Sequence, residues 1–244
     1  MTETTDWAFE IRALTAYRRG RTALEIDLLH LPARRLSVIA GAPDSGTSPL
    51  LCALAGCAHG AVRFFGRPVR ADDCARLGAP DKNGSSLTLR EHVARGRRRR
   101  LGWFGTFGHE DRLAIEHALV TMELAHLAEA RMHTLSAGER RLGDVAQALA
   151  RGTPALLLDG LEAGLAPQPL QRLMQTLSRL AREGRSIVVA LDDRSPAAVH
   201  ADHLVLMKDG RVWASGPPQA VLSRTARRPL PRSGQGAPAH GRAA

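Results

Sequence analysis

The first residues that could do chemistry form a glycine-rich segment, GAPDSGTS, at positions 41–48. It follows an apolar run and precedes leucines at helical spacing, which is the setting of a phosphate-binding loop with the pattern GxxxxGK followed by Ser or Thr. Gly41, Gly46 and Ser48 fit this pattern, and Ser45 lies within it. In such loops, backbone N–H groups at a helix start surround the phosphate. The segment therefore predicts an anion site at a strand-to-helix turn.

Three residues in and beside this loop oppose nucleotide binding. Thr47 occupies the lysine position, so the ammonium that would reach the terminal phosphates is missing. Asp44 places a carboxylate about 5 Å from a bound phosphate, which costs about 3 kcal/mol at an effective dielectric of roughly 20. Pro49 lacks a backbone N–H that would otherwise point at the anion. We expect this loop to hold a nucleotide poorly.

Apolar runs of strand length must position these residues. Most are continuous rather than alternating, as is typical of buried parallel strands. Helical leucine spacing follows the first run and precedes the third, where Gly184 is the predicted C-cap, so the order implies βαβ units and an α/β fold. The runs are LSVIAG at 36–41, ALLLDG at 155–160, SIVVAL at 186–191 and HLVLMKDG at 203–210.

Two segments differ from this alternation. Residues 81–150 carry few strand-like runs and show helical periodicity in their second half, so we interpret them as a helical lobe inserted into one domain spanning residues 1–222. Residues 223–244 are rich in Pro, Gly and Arg without apolar periodicity, which predicts a disordered basic tail.

Composition limits the class of protein. A chain of 244 residues with 44% hydrophobic content can bury a core as a single compact unit. No apolar run approaches the roughly 18 to 20 residues of a membrane span, and the polar start lacks the build of a secretory signal, so we expect a cytoplasmic protein. Cys52, Cys57 and Cys74 form no CxxC pair, and we interpret all three as small buried apolar residues.

Positive charge is concentrated in two places. The formal net charge is +10, with arginines at 95, 97, 98, 99 and 100 and again along the tail. Such charge can attract nucleic acid, anionic lipid or an acidic partner, but solvated arginines are the simpler interpretation. No aromatic residues alternate with the tail arginines, so nucleic acid is an unlikely partner.

The order of later motifs identifies a family. LSAGERR at 135–141 precedes a helix, and it is followed by ALLLDGLEAGLAP at 155–167, VALDD at 189–193 and DHLVLMKDGRVWASGPPQAVL at 202–222. This succession resembles the ATP-binding-cassette family, the nucleotide-binding subunits of transporters, over roughly residues 10–222. The segment GRRRRLGWFGTFGHEDRLAIEHAL further resembles the helical lobe of importers for iron chelates and vitamin B12.

The resemblance implies a P-loop NTPase (RecA-like) core with an inserted helical subdomain, and it implies ATP and Mg²⁺ as ligands. Tyr17 falls where an aromatic ring stacks on adenine. Ser48 and Asp159 match the residues that hold magnesium. A signature loop that contacts the nucleotide of an opposite subunit is matched chiefly by Ser136 and Gly138, within Leu135, Ser136, Ala137, Gly138 and Glu139.

Other positions depart from the family pattern. Gly160 stands where a glutamate activates water, and Asp192 stands where a histidine contacts the terminal phosphate. Asp81 replaces a nucleotide-sensing glutamine, and Ala166 replaces an aspartate that links the two sites of a dimer. With Thr47 also lacking the lysine charge, we expect no useful ATP turnover, because phosphoryl transfer depends on such groups.

Neighbouring side chains offer weak substitutes. Glu162 and Lys82 could in principle replace missing groups, but a base must come within about 3 Å of its proton, and a shift along the chain generally points elsewhere. His200 and His203 have no carboxylate or cysteine at metal-binding spacing, so we interpret them as helix-surface or capping residues.

Three functions remain open from the sequence. The first is a degenerate transporter subunit at the inner face of the cell membrane, bound to a permease and to a second cassette whose site its signature loop completes. The second is a regulatory module with the cassette fold that binds a membrane surface or nucleic acid through its basic segments. The third is an ATPase that remains active by an unusual route.

Overall fold

The computed structural model describes residues 6–18, 20–58, 61–78, 86–98, 106–192, 198 and 200–227. The strands are β1 (Trp7–Arg18), β2 (Arg21–Pro32), β3 (Leu36–Ala40), β4 (Val62–Phe64), β5 (Arg67–Pro68), β6 (Cys74–Leu77), β7 (Ala155–Leu158), β8 (Ser186–Leu191), β9 (His203–Lys208) and β10 (Arg211–Gly216). The helices are α1 (Thr47–Cys52), α2 (Leu89–Ala94), α3 (His109–Thr121), α4 (Ala137–Ala150), α5 (Pro167–Arg182) and α6 (Pro218–Arg227). Shorter turns are a π-helical turn at Ala53–Cys57 and 3-10 turns at Ala125–Leu127 and Met132–Thr134.

The central sheet has the strand order β10-β9-β3-β8-β7-β6 among the described residues. Neighbouring strands from β9 to β6 run parallel, whereas β10 is antiparallel to β9. Every residue of β3, β7 and β8 is buried, because a parallel sheet is covered on both faces. The predicted α/β fold with a mainly parallel sheet is confirmed, and the four predicted apolar runs are strands β3, β7, β8 and β9.

Different layers cover the two faces of this sheet. Ile39 and Val188 share one buried cluster with α1 and the first two strands. Val38 and Val189, which alternate with them along the same strands, share another with residues of α4 and α5. Helix α5 ends as predicted, with Gly184 beyond it at φ +114°, a left-handed conformation that suits glycine. Strand β3, which leads into the phosphate-loop segment, is therefore packed on both of its faces.

A second sheet, which the sequence analysis did not predict, is entirely antiparallel in the order β2-β1-β4-β5. Burial along β2 alternates in its middle, with Leu24 and Ile26 inside and Glu25 and Asp27 exposed. Such alternation is the sign of a strand with one solvated face. The sequence analysis looked for continuous apolar runs and therefore missed this sheet.

Helices α2 to α4 occupy the described parts of the segment predicted as a helical lobe. A capping box begins α2, since Thr88 Oγ1 accepts from the Glu91 N–H at 3.1 Å and Glu91 Oε2 accepts from the Thr88 N–H at 2.8 Å. Within these described parts, an isolated bridge between Thr88 and Arg131 is the single strand-like pairing. In chain order, these described parts lie between β6 and β7.

Arg97 corrects the prediction of a solvated basic stretch. Its Nε donates to Asp111 Oδ1 at 2.7 Å and its Nη1 to the Ala150 carbonyl at 3.2 Å, so the side chain is buried. A buried cation is retained here because it is paired and hydrogen-bonded. Arg95 and Arg98 are exposed, as expected.

The predicted start of the disordered tail at residue 223 is wrong. Helix α6 continues to Arg227, with Val221 buried in the core. Burial of Val221 stabilises this helix, which the basic composition of the segment did not predict. Residues 228–244 lie outside the described part of the chain. No described helix combines the length and apolar character needed to span a bilayer.

Two further predictions from the sequence need correction. Cys74 is buried as predicted, but Cys52 is half-buried and Cys57 is exposed, because the turn after α1 faces an open cavity. His203, predicted on a helix surface, begins strand β9 and lies 2.9 Å from Ser215 Oγ through Nε2. Burial lowers the pKa of His203 below its ordinary value.

Candidate functional site

The loop between β3 and α1 keeps the backbone of a phosphate-binding loop despite its altered side chains. Asp44 adopts a left-handed conformation at φ +65°, which aspartate tolerates better than most residues. Gly46 is also left-handed at φ +101°, and a Cβ there would come within 3.0 Å of the Ala23 carbonyl oxygen. At Gly41 a Cβ would overlap the Ser45 hydroxyl. These three backbone positions therefore preserve the loop.

Backbone hydrogen bonds connect the loop to neighbouring strands. The Gly210 N–H donates to the Ser45 carbonyl at 2.9 Å, and the Glu25 N–H donates to the Gly210 carbonyl at 2.9 Å. Ser45 is buried, and its hydroxyl has no hydrogen-bond partner within the described structure. The loop is therefore tied to the turn between β9 and β10 and to strand β2.

Helix α1 begins at Thr47, at the end of the site where a phosphate would bind. Gly46 is its N-cap and supplies no side-chain cap, and Thr47 is half-buried without a charge to offer a phosphate. Pro49 lies in the first turn, where its ring fits but supplies no N–H. The anion-binding capacity of this end therefore depends on the remaining backbone N–H groups.

The resemblance assigns adenine stacking to Tyr17. Its side chain is 73% exposed near the end of β1, paired with Thr22 of β2. The ring lines a cavity of about 370 Å³ together with Ser48 and Pro49 at the start of α1. The structure thus brings Tyr17 and the end of the phosphate loop to one cavity.

The end of strand β7 carries Asp159 and Gly160. Asp159 is half-buried, and its N–H donates to the Leu77 carbonyl at 3.1 Å. Residue 160 is a glycine and therefore offers no acid. Its φ of +62° is left-handed, a conformation in which an L-residue would be strained. The backbone at this position has a conformation suited to glycine.

Arg141 is a buried residue of this site that the sequence analysis missed. Its Nη2 donates to the Gly78 carbonyl at 3.0 Å and to the Asp159 carbonyl, and its Nη1 donates to Asp144 Oδ2 at 3.4 Å. A Cβ on Gly160 would lie 3.5 Å from Nη2. Burial lowers the pKa of Arg141 below its ordinary value, although the Asp144 carboxylate opposes this.

A sequence signal for Arg141 did exist. It shares one face of α4 with the buried residues Val145 and Ala148, at steps of four and three. An arginine on the apolar stripe of a helix indicates a buried, paired cation. The guanidinium links α4 to the ends of β6 and β7 beside Asp159.

Glu162 reaches the segment after β8. Its Oε2 accepts a hydrogen bond from the Asp192 N–H at 2.7 Å. Glu162, the possible substitute acid, is therefore in contact with Asp192, which stands where the family pattern has histidine. Glu162 is half-buried and Asp192 is exposed. In this geometry Glu162 is engaged with a backbone donor rather than free to act as a base. Asp81 and Lys82 lie outside the described residues.

The signature segment begins α4. Ser136 is its N-cap: Ser136 Oγ accepts from the Glu139 N–H at 3.2 Å, and Glu139 Oε2 accepts from the Ser136 N–H at 2.7 Å. These hydrogen bonds lower the pKa of Glu139 below its ordinary value. Leu135 is buried, whereas Ser136 and Ala137 are exposed.

The segment after Gly160 packs against this signature turn. Half-buried Gly138 would place a Cβ 3.2 Å from the Gly164 carbonyl oxygen, so the two backbones approach closely. Ala166 is the N-cap of α5 and makes no side-chain cap, unlike the aspartate that the family pattern carries there. The signature turn and the segment after Gly160 are therefore in close backbone contact.

The donors at the site fit a magnesium nucleotide in part. Ser48 offers a hydroxyl and Asp159 a carboxylate, which are the hard oxygen ligands that Mg²⁺ takes beside phosphate and water. Bound Mg²⁺ would offset phosphate charge. Exposed Asp44 adds a negative charge to the loop that would cradle the phosphates. Within the described residues, no cluster of three or more His, Cys, Asp or Glu could hold a metal without such a ligand.

Comparisons with known proteins agree with this geometry. Residues 26–162 match the profile of the ABC transporter family. The hemin import ATP-binding protein HmuV of Nocardia farcinica is 36% identical over 229 residues, covering 87% of this chain and 78% of that protein. The ferric enterobactin transport ATP-binding protein FepC of Escherichia coli is 30% identical over 213 residues, covering 83% and 79% respectively.

Solved structures show the same fold. An ATP-binding cassette of an ABC transporter in its ADP conformation superposes with a TM-score of 0.79 at 18% identity, covering 92% of this chain and 96% of that one. An inward-facing metal-chelate type ABC transporter gives a TM-score of 0.78 at 20% identity, covering 91% and 88%. With the motif order and the P-loop NTPase fold, these matches establish that the chain belongs to the ABC transporter family as an ATP-binding cassette.

Proposed function

We propose that this chain is a degenerate ATP-binding subunit of an importer for iron chelates or hemin. In this proposal its own phosphate loop does not turn over ATP, and its signature segment completes the nucleotide site of a second cassette. The subunit works at the inner face of the cell membrane, bound to permease subunits.

The observation that carries the proposal is Gly160 in a left-handed conformation at the end of β7. The position offers no carboxylate to orient water, and at its left-handed φ of +62° a glutamate would be strained by roughly 1 kcal/mol. Thr47 provides no lysine charge, and Asp192 adds a negative group where the family pattern has histidine. Phosphoryl transfer relies on positioning and on charge stabilisation, and these groups are absent together.

The signature segment supports the second half of the proposal. Ser136 and Ala137 are exposed at the start of an ordered helix with a complete capping box. The exposed N-terminus of a helix favours an anion such as a phosphate of the opposite subunit. This chain therefore retains the groups that serve a partner's nucleotide and has lost groups that serve its own.

The class of transported compound comes from the relatives. HmuV and FepC are described as acting in hemin import and ferric enterobactin transport, and a Bacillus subtilis relative 31% identical over 214 residues is a probable siderophore transport ATP-binding protein. These are ferric chelates or an iron porphyrin. We extend this class to the present chain.

The test compares ATP turnover by the chain alone with turnover by the chain co-purified with the permease and any cassette encoded beside it. We expect no phosphate release from the chain alone, and turnover by the complex that is lost in Ser136→Arg. Ser223→Arg, an exposed change on α6, is the matched control and leaves turnover intact. Unchanged turnover by the Ser136→Arg complex contradicts the proposal.

The alternative of an active ATPase predicts a different result. The isolated chain would then release phosphate from Mg–ATP, and Asp159→Asn would abolish that release. We expect neither, because Asp159 has no water-activating neighbour at residue 160. Turnover by the chain alone that Asp159→Asn removes would establish the alternative.

A further inference from the structure

Two cysteines approach each other at the end of α1. Cys52 is its last residue, and a π-helical turn runs from Ala53 to Cys57. In a regular α-helix, residues five apart point about 140° from each other. This turn contains Gly56 in a left-handed conformation at φ +92°, so the chain leaves regular helical geometry just before Cys57. After this kink, Cys52 and Cys57 both line one cavity.

Their side chains are in contact and accessible. A hydrogen bond between the Cys57 and Cys52 thiols is the largest cause that raises the pKa of Cys57 above its ordinary value, followed by burial. Cys52 is half-buried and Cys57 is exposed, and both line the cavity of about 370 Å³ that Tyr17 borders. Reagents in that cavity can reach both sulfur atoms.

The third cysteine has a different environment. Cys74 is buried on β6, with its Sγ 3.9 Å from the Leu54 carbonyl oxygen. Burial raises the pKa of Cys74 to about 12, so its thiolate is scarce at neutral pH. This contrast confines thiol chemistry to the Cys52 and Cys57 pair.

A cation lies beside the pair. Exposed Arg76 of β6 lines the same cavity, and its charge favours the thiolate of Cys57. A guanidinium at this point also suits an incoming reagent that carries carboxylates. The cavity therefore combines two thiols in contact with a site for an anionic group.

We propose that Cys52 and Cys57 form a dithiol site that a low-molecular-weight, carboxylate-bearing disulfide oxidises to an intramolecular disulfide. The pair shares its cavity with Tyr17 and Ser48, but neither cysteine takes part in phosphate transfer, so the oxidation can be measured without ATP turnover.

The reaction proceeds by two exchanges. The Cys57 thiolate attacks one sulfur of the reagent, whose S–S bond breaks and releases one reagent thiolate, which takes up a proton. Cys52 then loses its proton and attacks Cys57 Sγ, and the second reagent thiolate leaves with a proton. Two protein thiols are oxidised by two electrons, and one reagent disulfide is reduced to two thiols.

Oxidised glutathione is the probe for the test on the full-length reduced chain. One tryptic peptide, residues 36–63, contains both cysteines, so closure makes this peptide lighter by two hydrogen atoms under non-reducing conditions. We expect the internal disulfide to exceed the glutathione adduct by about tenfold, because Cys52 acts as an intramolecular nucleophile. We also expect the rate to increase as pH rises above 8, because the Cys57 pKa is raised.

Variants separate the two steps. In the Cys52→Ser variant, the reaction should end at the mixed disulfide, in which Cys57 carries one glutathionyl group. The Cys74→Ala variant is the matched control and should still form the internal disulfide. Circular dichroism confirms that each variant is folded. A persistent adduct on both cysteines of the wild type, or no change of the 36–63 peptide at about pH 9, overturns the proposal. Neither outcome depends on ATP turnover, so this test can fail while the transport proposal stands.

Discussion

Asp44 shows how a single residue can keep a backbone and lose its ligand. Its left-handed φ of +65° maintains the turn of the phosphate loop, where the family pattern has glycine. Its exposed carboxylate nevertheless adds a negative charge to the loop that would bind a phosphate. The conformation and the charge of this residue can therefore be separated by mutation.

Asp44→Asn is expected to tighten Mg–ATP binding by about tenfold, because asparagine also tolerates the left-handed conformation and removes the negative charge. Coulomb's law gives about 3 kcal/mol as an upper value at 5 Å, and solvent exposure reduces it. A fluorescence titration with Mg–ATP measures the change. Asp27→Asn, an exposed change on β2, should leave affinity unaltered, and equal affinities for both variants would contradict the prediction.

Gly160→Glu should restore no ATP turnover. A non-glycine residue at φ +62° costs roughly 1 kcal/mol or more, and Thr47 and Asp192 remain unsuited to phosphate. Thermal unfolding should show that Gly160→Glu and Gly160→Ala lose similar stability, since the strain lies in the backbone. Phosphate release by the glutamate variant above the wild-type level would refute this expectation.

At the scale of elements, α4 connects the signature turn to the nucleotide-side strands. Its N-cap Ser136 is exposed, and Arg141 one turn later reaches the carbonyls of Gly78 and Asp159. His92 of α2 joins the same network, with its Nε2 3.0 Å from Asp144 Oδ1. A displacement of this helix therefore changes contacts at the ends of β6 and β7.

The capping box of α4 should make a measurable, pH-dependent contribution to stability. Ser136→Ala is expected to cost about 1 kcal/mol by urea unfolding. Hydrogen bonds with Ser136 lower the folded-state pKa of Glu139 below 4.5, so its contribution is complete above that pH and is lost as pH falls through the lower folded value. The stability difference between wild type and Glu139→Gln should therefore be constant from about pH 7 to about pH 5 and shrink as pH falls from 4.5 towards about pH 3. A difference that stays constant down to about pH 3 would contradict this assignment.

At the scale of the whole molecule, one buried ion pair fastens the helical lobe internally. Arg97 follows α2, Asp111 lies in the first turn of α3, and Ala150 ends α4. Asp111 Oδ2 also accepts from the Gly108 N–H at 3.0 Å. Three segments of the lobe therefore meet at one guanidinium.

Arg97→Met should lower the free energy of unfolding by about 3–5 kcal/mol, because it removes one partner of the buried Arg97–Asp111 ion pair. The double variant Arg97→Met with Asp111→Leu should recover part of this loss. Arg98→Met, an exposed neighbour, is the control and should change stability by less than about 0.5 kcal/mol. Equal losses in the Arg97 and Arg98 variants, measured by urea unfolding, would show that the pair does not hold the lobe.

The sequence by itself determined four strands of the central sheet (β3, β7, β8 and β9), the positions of the loop motifs and the family. Strands β3, β7 and β8 are buried on both faces, so their apolar runs identify them without knowledge of their neighbours. The phosphate loop at 41–48 was recognisable because its glycines and its place before a helix are local features. The altered residues, Thr47 and Gly160 among them, were likewise visible in the sequence.

Tertiary structure decided what these residues contact. The left-handed φ of Gly160 and the approach of Arg141 to Asp159 depend on segments distant in the chain, and no local pattern records such a pairing. The accessibility of Cys57 and its contact with Cys52 depend on the turn from Ala53 to Cys57, which contains a left-handed Gly56 and faces a cavity. The phosphate loop could therefore be predicted from its own residues, whereas the contacts around it depend on how segments distant in the chain pack together.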